Sequence, residues 1–245
     1  MAGHSKWANI KHRKGRQDAA RGKLFAKLIR AIESAARTGG GDIQANPTLA
    51  TAVQKAKDAS VPKDNIERAI ARGTGDLEGV TYEEAWYEGY GPGGVALYVH
   101  ILTDNRNRAA SDVRSAFSKN GGSLGEPGSV GYLFEQKGYL LVVGGEDEVL
   151  MAALEGGAED VRAAEGQWEV ISQPGDVMQV RAALEAEDIE VVQSEVTQMP
   201  TTTVVLDATK ARSILRLLDA LEDLDDVQDV YANFDIPDEV LAEVG

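Results

Sequence analysis

The chain contains no cysteine, only three histidines and no apolar run long enough to cross a membrane. Without cysteine it can form no disulfide, thiolate metal site or cysteine nucleophile, and three histidines offer few ligands to a transition metal. A membrane helix needs about 20 apolar residues, whereas the longest stretch here, residues 95–102, is interrupted by His100. The basic N-terminus lacks the apolar core of a signal peptide. We therefore expect a cytoplasmic protein that enters no membrane and holds no metal or cofactor.

Sequence motifs of catalysis are missing as well. The chain shows no Ser/His/Asp order, HExxH or P-loop. The glycines of residues 91–94 are followed by a strand pattern, whereas a nucleotide-binding loop is followed by a helix, so they predict a hairpin turn. His4 and His12 lie in a basic segment, and His100 alternates with Tyr98 on a strand, which indicates a packed structural residue. We predict that the protein is not an enzyme.

What the chain has in quantity is charge, and the two signs are separated along it. The whole sequence has a net charge of −15. Residues 1–75 contain 15 Lys and Arg against 6 Asp and Glu, whereas residues 76–245 contain 10 against 34, a net charge of −24. The first 40 residues reach +8, with ten bases and two acids. Because Lys and Arg gain affinity for polyphosphates by displacing counterions, this segment is predicted to bind nucleic acid, and the acidic body is predicted to be repelled by it.

The first 40 residues divide into two parts. Residues 2–20 have no apolar period and contain one aromatic side chain, Trp7, which we expect to stack on a base. From Lys23 onward, apolar residues recur at the α-helical period with bases on the opposite face, until residues 39–40 end the helix. The apolar face comprises Leu24, Phe25, Leu28, Ile29, Ile32, Ala35 and Ala36. The predicted nucleic-acid-binding residues are Lys6, Trp7, Lys11, His12, Arg13, Lys14, Arg16, Lys23, Lys27 and Arg30.

The segment GHSKWANIKHRKGRQDAARGKLFAKLIR, residues 3–30, strongly resembles the N-terminal signature of the YebC/PmpR family. Later stretches resemble the family too: GYGPGGVALYV at 89–99, DNRNR at 104–108 and KNGGSLGEPGSVGYLFEQKG at 119–138. The resemblance implies a three-domain, cofactor-free regulator of gene expression. Members of the family have been recorded as DNA-binding transcriptional regulators, and others act in translation on the ribosome.

Two further helices are predicted after the first. Asn46 can cap a helix that begins at Pro47, and Pro62 begins another helix that Gly73 closes. Three helices with short links make a small bundle at residues 21–75. Two helices joined by a tight turn also suggest a helix-turn-helix. The exposed face of the last helix mixes acids with bases, however, and this near-neutral surface fits a major-groove reader poorly.

The rest of the chain alternates between strand and helix patterns. About residues 139–196 follow a β-α-β-β-α-β order, which is the ferredoxin-like pattern. The region before it is β-β-α-β, and the C-terminal β-α-β can supply its missing helix and strands. We therefore predict an α+β fold with an N-terminal helical bundle and two ferredoxin-like domains, one inserted in the other. The boundaries are 1–76 for the bundle, 77–134 with 201–245 for the discontinuous middle domain, and 135–200 for the inserted domain.

Some strands of this scheme are predicted individually. Residues 131–134 and 139–143 are expected to form a pair of strands on either side of a turn that includes Gly138. Residues 202–206 are expected to form another strand. A final strand is expected where Val230, Ala232, Phe234 and Ile236 alternate with polar residues.

Arg106 and Arg108, in the DNRNR stretch, form a second candidate anion site. They stand at a predicted helix start, where backbone amides favour anions. The alternative is a local ion pair with one of the many carboxylates. The sequence leaves the two interpretations about even, and the family resemblance slightly favours an anion site.

The function that the sequence supports is non-enzymatic binding of nucleic acid to regulate gene expression. The resemblance favours a DNA-binding transcriptional regulator. The lack of a clean recognition helix and the basic tail with one aromatic residue favour structured RNA, including ribosomal RNA, and so a translation factor. A third interpretation is a protein-interaction module whose acidic body binds basic proteins. We expect a monomer.

Overall fold

The computed structural model describes residues 19–164, 166–237 and 239–240. The helices are α1 (Ala19–Gly39), α2 (Pro47–Asp58), α3 (Lys63–Thr74), α4 (Arg106–Lys119), α5 (Glu146–Glu155), α6 (Val177–Ala186) and α7 (Ala208–Glu222). The longer strands are β1 (Glu83–Gly91), β2 (Val95–Thr103), β4 (Phe134–Val143), β5 (Asp160–Ala164), β6 (Gln167–Ser172), β7 (Glu190–Pro200) and β9 (Val227–Ala232). Three strands have two residues each: β3 (Ser123–Leu124), β8 (Val204–Val205) and β10 (Phe234–Asp235).

Contacts along the chain divide it into two compact units. The first contains the described parts of Met1–Lys27, Thr81–Glu135 and Met199–Gly245. The second contains Leu28–Val80 and Gln136–Gln198. The predicted mixed helix-and-sheet class is confirmed. The three predicted domain boundaries stay a prediction, because this division places most of the bundle in one unit with the inserted region.

The helical bundle is held by a capping side chain and by an ion pair to a buried carboxylate. The Asn46 side-chain oxygen accepts the backbone N–H of Leu49, as the sequence predicts, and its amide donates to the carbonyls of Ala35 and Gly40. Nearby, Arg72 donates to the buried carboxylate of Glu33 at 2.5 Å. Burial raises the pKa of Glu33, and Arg72 opposes that shift.

The first unit is built around a four-stranded sheet with the order β3-β1-β2-β9. β1 and β2 form the predicted hairpin, with Glu83 opposite Thr103 and Gly91 opposite Val95. β9 pairs antiparallel with β2. Helices α4 and α7 bury one common core on this sheet, which includes Val113, Phe117, Ile214 and Leu217. The C-terminal segment therefore adds α7 to this core and β9 to this sheet, as predicted, whereas its first predicted strand does not join the sheet.

The inserted region forms the second sheet, with the order β5-β6-β4-β7. β4 and β5 both pair antiparallel with β6. Numbered within the region, the strand order is 2-3-1-4, which is the order of a ferredoxin-like fold with helices between strands 1 and 2 and between 3 and 4. Helices α5 and α6 supply Val149, Val180 and Leu184 to its core.

The individual strand predictions were wrong in three places. Residues 134–143 form a single strand, and residues 131–133 form a short 3-10 turn before it. Gly138 lies inside this strand. A Cβ there would lie only 2.6 Å from a Val177 methyl carbon, so the glycine marks a close approach between segments and not a turn. The predicted last strand is interrupted at Asn233, whose side-chain oxygen accepts the N–H of Ala96. The predicted strand at 202–206 is shorter than expected: only β8 forms, and it pairs in parallel with β10.

Candidate nucleic-acid interface

The candidate binding residues nearest the N-terminus lie outside the described residues. They are Lys6, Trp7, Lys11, His12, Arg13, Lys14 and Arg16. Their role in binding therefore stays a prediction from charge and composition. The described part of the interface begins with α1.

Two candidate bases on α1 contact the C-terminal end of α7. The Lys23 ammonium donates to the carbonyl of Asp223 at 3.1 Å and lies 3.4 Å from its carboxylate. The Lys27 ammonium donates to the carbonyl of Glu222 at 2.7 Å. The last carbonyls of a helix have no intrahelical partner and carry partial negative charge, so ammonium groups bind there favourably. Both bases therefore make intramolecular contacts, although about half of the Lys23 side chain is exposed.

The apolar face of α1 begins later than predicted. Leu28, Ile32, Ala35 and Ala36 are buried, whereas Leu24 is 45% exposed. Phe25 is half-buried and lies under the Arg21 guanidinium, whose carbon is 5.4 Å from the ring centre. The first described turns of α1 therefore expose apolar and basic side chains together. Arg30, the third candidate base on this helix, is half-buried.

Helix α3 does not present the surface of a major-groove reader. Lys63 lies 3.5 Å from Glu67, and both side chains are exposed. Arg68 is exposed but donates to the Asp64 carbonyl and to the Asn65 side chain. The bases of this helix are thus balanced by neighbouring acids and amides, which agrees with the near-neutral surface expected from the sequence.

Arg106 and Arg108, the second candidate anion site, both face carboxylates. The Arg108 guanidinium lies 2.8 Å from Asp226 and 2.7 Å from Asp104, and these hydrogen bonds raise its pKa further above the ordinary value. Asp226 is buried and also accepts from Thr103. Arg108 therefore has the local ion pair that the sequence left as the alternative. Arg106 lies 3.8 Å from Glu83, and both side chains are largely exposed.

His100 is packed on the sheet face away from α4 and α7, as its strand position predicts. Its ring stacks on Trp86 at 4.5 Å, its Nε2 lies 2.8 Å from Glu84, and its Nδ1 lies 3.7 Å from Asp229. Burial alone would lower the pKa of His100, but the two carboxylates raise it to about 9. The ring is therefore an imidazolium held between two carboxylates.

Sequence reasoning missed the role of Glu88 on β1. Its carboxylate accepts the backbone N–H groups of Gly128, Val130 and Gly131 at 2.6 to 2.8 Å. Burial acts to raise the pKa of Glu88, but these three hydrogen bonds hold it below the usual range. Glu88 thereby fixes the glycine-rich loop before β4. A single Glu on a half-buried strand gives no sequence signal of this role.

Among the residues that the structure describes, no helix is long and apolar enough to span a membrane. Over the same residues, His, Asp and Glu side chains form no group of three placed to hold a metal ion.

These features define a multidomain helix-and-sheet protein with a basic N-terminal segment and an acidic body. Residues 5–76 match the family model of the TACO1/YebC protein N-terminal domain, and residues 82–234 match that of the TACO1/YebC second and third domain. The chain therefore belongs to the TACO1/YebC family, which confirms the resemblance seen in its motifs.

Relatives of known sequence or structure match nearly the whole chain. A protein of Rubrobacter xylanophilus named a probable transcriptional regulatory protein is 60% identical, over 100% of this chain and 99% of its own. One of the same name from Acidothermus cellulolyticus is 58% identical over 100% of both chains. The crystal structure of a conserved hypothetical protein from Aquifex aeolicus is 49% identical with a TM-score of 0.81, covering 90% of this chain and 92% of its own.

Proposed function

We propose that the protein is a non-enzymatic regulator of gene expression that acts by binding nucleic acid. The observation that carries this proposal is the separation of charge, with +8 in the first 40 residues against −24 in residues 76–245. A segment with a sign opposite to that of the body favours an anionic partner with many charges, and nucleic acid has that character. The names of the relatives, as probable transcriptional regulatory proteins, support the same class.

The proposed mechanism is docking of the N-terminal segment on phosphates. Lys6, Lys11, Arg13, Lys14 and Arg16 neutralise phosphates and release counterions. In the same segment, the Trp7 ring stacks on an exposed base, which adds affinity without adding charge. The acidic body is repelled by phosphate and stays away from the nucleic-acid backbone.

A second candidate function is an RNA-binding translation factor that acts on the ribosome. The near-neutral exposed side of α3, with Lys63 next to Glu67, favours it over reading a DNA major groove. Structured RNA is recognised by contacts to phosphates and by stacking on unpaired bases, for which a basic segment with one aromatic residue is suited. For both candidates we propose that the protein acts in the cytoplasm as a monomer.

Crosslinking in cells followed by sequencing of the bound nucleic acid tests both candidates. Enrichment of promoter DNA supports the transcriptional regulator, whereas enrichment of ribosomal RNA supports the translation factor. A variant with Lys11, Arg13 and Lys14 all changed to Ala serves as the control and is expected to lose most of the crosslinks. If neither DNA nor RNA is enriched over that variant, the proposal is wrong, and the acidic body as a docking surface for basic proteins becomes the better account.

A further inference from the structure

Helix α5 of the inserted region exposes three large apolar side chains. Leu150 is 42% exposed, Met151 is 64% exposed and Leu154 is 54% exposed. Among the residues that the structure describes, the remaining exposed large apolar residue on a helix is Leu24 of α1. Single exposed apolar residues are common on protein surfaces, whereas contiguous ones are typical of interaction sites. We call the three residues of α5 the apolar stripe.

The helical period places the apolar stripe on one side of α5. Leu150 and Leu154 are four residues apart, and Met151 and Leu154 are three apart, so the Cβ atoms of each pair lie about 5–6 Å from each other. The buried side of the helix consists of Val149, Ala152 and Ala153, which belong to the core of the second sheet. The apolar stripe is therefore one continuous surface outside that core.

The neighbouring helix α6 has no such stripe. It has the same length as α5 and contributes to the same core. The two helices are in close contact, because a Cβ at Gly156, just after α5, would lie 2.9 Å from the Ala183 Cβ on α6. The exposed residues of α6 are Gln179, Ala182, Glu185 and Ala186. A helix on this sheet therefore needs no large apolar residue on its outer side, and packing within the region does not explain the apolar stripe.

Carboxylates border the apolar stripe on both sides along the helix. Asp147 lies one turn before Met151, and Glu155 lies one turn after it. The acids of α5 are Glu146, Asp147, Glu148 and Glu155. All four are exposed, and among the residues that the structure describes none of them forms an ion pair. The outer side of α5 therefore combines apolar side chains with carboxylates that are available to a partner.

The negative charge of this helix is not balanced by nearby bases. Residues 138–161 contain six acids and no Lys or Arg. The bases that flank this range, Lys137 and Arg162, lie 2.9 Å and 2.7 Å from carboxylates outside α5. Acids in the first turn stabilise a helix, but Glu155 is the last residue of α5, where the helix dipole disfavours a negative charge. Helix stability alone therefore does not explain the acids of α5.

We propose that the outer side of α5 is a docking surface for a basic amphipathic helix of a partner protein. The apolar face of that helix packs on the apolar stripe, and its Lys and Arg residues pair with the four acids of α5. The unbranched side chain of Met151 adapts to the shape of the partner. Because carboxylates repel phosphate, this surface does not bind nucleic acid, and its partner differs in kind from the ligand proposed for the N-terminal segment.

The test measures binding of a fluorescent synthetic peptide by the full-length protein. In this peptide leucines recur at the α-helical period and every other position is lysine. The stripe variant combines Met151→Gln with Leu154→Gln, which changes no charge and keeps good helix formers in α5. Its control combines Ile43→Gln with Leu77→Gln, which removes two apolar side chains of 41% and 47% exposure outside the helices.

A second pair of variants tests the charge. The charge variant combines Asp147→Asn with Glu155→Gln and so removes two carboxylates that border the apolar stripe. Its control combines Glu78→Gln with Glu190→Gln, which removes two exposed carboxylates elsewhere and gives the same net charge. Circular dichroism confirms that all four variants fold.

The wild-type protein should bind the Lys/Leu peptide, and the stripe variant and the charge variant should each bind it roughly ten-fold more weakly. Both controls should bind it as the wild type does. A Glu/Leu peptide of the same pattern should not bind. All four variants should retain the wild-type affinity for nucleic acid, so a failure of this docking surface is distinguishable from a failure of the proposed function.

Three results would overturn the proposal. The first is no binding of the Lys/Leu peptide by the wild type. The second is equal binding by the stripe variant and its control, or equal weakening in the charge variant and its control, because the peptide would then respond only to the net charge of the protein. The third is self-association of the wild type in analytical ultracentrifugation that the stripe variant loses, which would assign the surface to a second copy of this chain.

Discussion

The Nζ of Lys27 on α1 donates a 2.7 Å hydrogen bond to the carbonyl oxygen of Glu222, the last residue of α7. The contact joins residues far apart in sequence, and Lys23 makes a similar contact with Asp223 one residue further on. An ammonium group at this position satisfies a carbonyl that the helix leaves unpaired and interacts favourably with the negative end of the helix dipole. The first turns of α1 are thereby fixed to the acidic body of the first unit.

Replacing Lys27 should therefore lower stability measurably. Lys27→Ala removes the hydrogen bond and the charge at the helix end, and we expect a loss of about 0.5–1.5 kcal/mol in the free energy of unfolding. Urea denaturation followed by circular dichroism measures it. Lys63→Ala is the control, because Lys63 is exposed and has only an i,i+4 pair with Glu67, worth about 0.3–0.5 kcal/mol. Equal losses in the two variants would contradict a role for the contact.

The His100 site predicts a specific dependence of stability on pH. The pKa of His100 is raised to about 9, above its ordinary value of 6.5. A group whose pKa is raised on folding stabilises fully below the unfolded pKa, and this stabilisation is lost as pH rises through the folded value. The free energy of unfolding should therefore fall between pH 6.5 and 9, by at most about 3 kcal/mol.

A His100→Gln variant isolates this effect. It keeps a polar side chain between Glu84 and Asp229 but cannot titrate, so its stability should change much less over the same pH interval. Thermal melts at half-unit pH steps compare the two proteins. Parallel curves for wild type and variant would show that the imidazolium does not contribute.

The buried Arg181 predicts strong coupling to Asp58 within the second unit. Arg181 is 7% exposed and lies 2.7 Å from Asp58, with Ser194 and Glu185 also in contact. Asp58→Ala leaves a buried charge with fewer partners, and we expect a loss of roughly 2–3 kcal/mol in unfolding free energy.

The matched test adds Arg181→Met to the Asp58→Ala variant. If the single change is costly because it leaves the guanidinium unpaired, the second change should restore part of the lost stability. The exposed pair formed by Asp160 and Arg162 provides the comparison, since Asp160→Ala there should cost less than about 1 kcal/mol. A double variant no more stable than the single one would contradict this explanation.

The Glu88 carboxylate should be required for order in the loop before β4. Glu88→Gln keeps the size of the side chain but removes the charge that accepts three backbone N–H groups. A hydrogen bond to a charged group is worth about 1.5–3 kcal/mol, against about 0.5–1.5 kcal/mol for a neutral one, and Gln keeps one acceptor oxygen. Because only part of each interaction is lost, we expect a loss of roughly 1–3 kcal/mol overall. Hydrogen exchange at Gly128, Val130 and Gly131 should also accelerate. Unchanged exchange at these amides would refute the role of Glu88.

Much of the fold could be predicted from local patterns because those patterns reflect burial. The Asn46 cap, the hairpin at residues 91–94 and the β-α-β-β-α-β order each depend on residues close in sequence. Gly138 was misinterpreted because a glycine inside a strand and a glycine in a turn look alike until the neighbouring Ser172 and Val177 are placed. Only the packing of these distant residues against Gly138 shows that the glycine belongs to a strand.

The candidate interface was less predictable for the same reason. The basic face of α1 follows from helical period, but the contacts of Lys23 and Lys27 with the end of α7 depend on residues about 200 positions away. The ion pair of Arg108 likewise depends on Asp226, which only the fold brings near, and the anion site at Arg106 and Arg108 stays a prediction.

The most direct test of the central claim is the salt dependence of nucleic-acid binding by the full chain and by a variant that lacks residues 2–18. If about six phosphates are neutralised, the log–log slope for the full chain should be near −5 on duplex DNA and near −4 on single strands. The deletion should reduce affinity by orders of magnitude and make the slope much shallower. Its melting temperature should barely change, because the buried face of α1 begins at Leu28. A slope close to zero for the full chain, or the same slope after the deletion, would contradict the account.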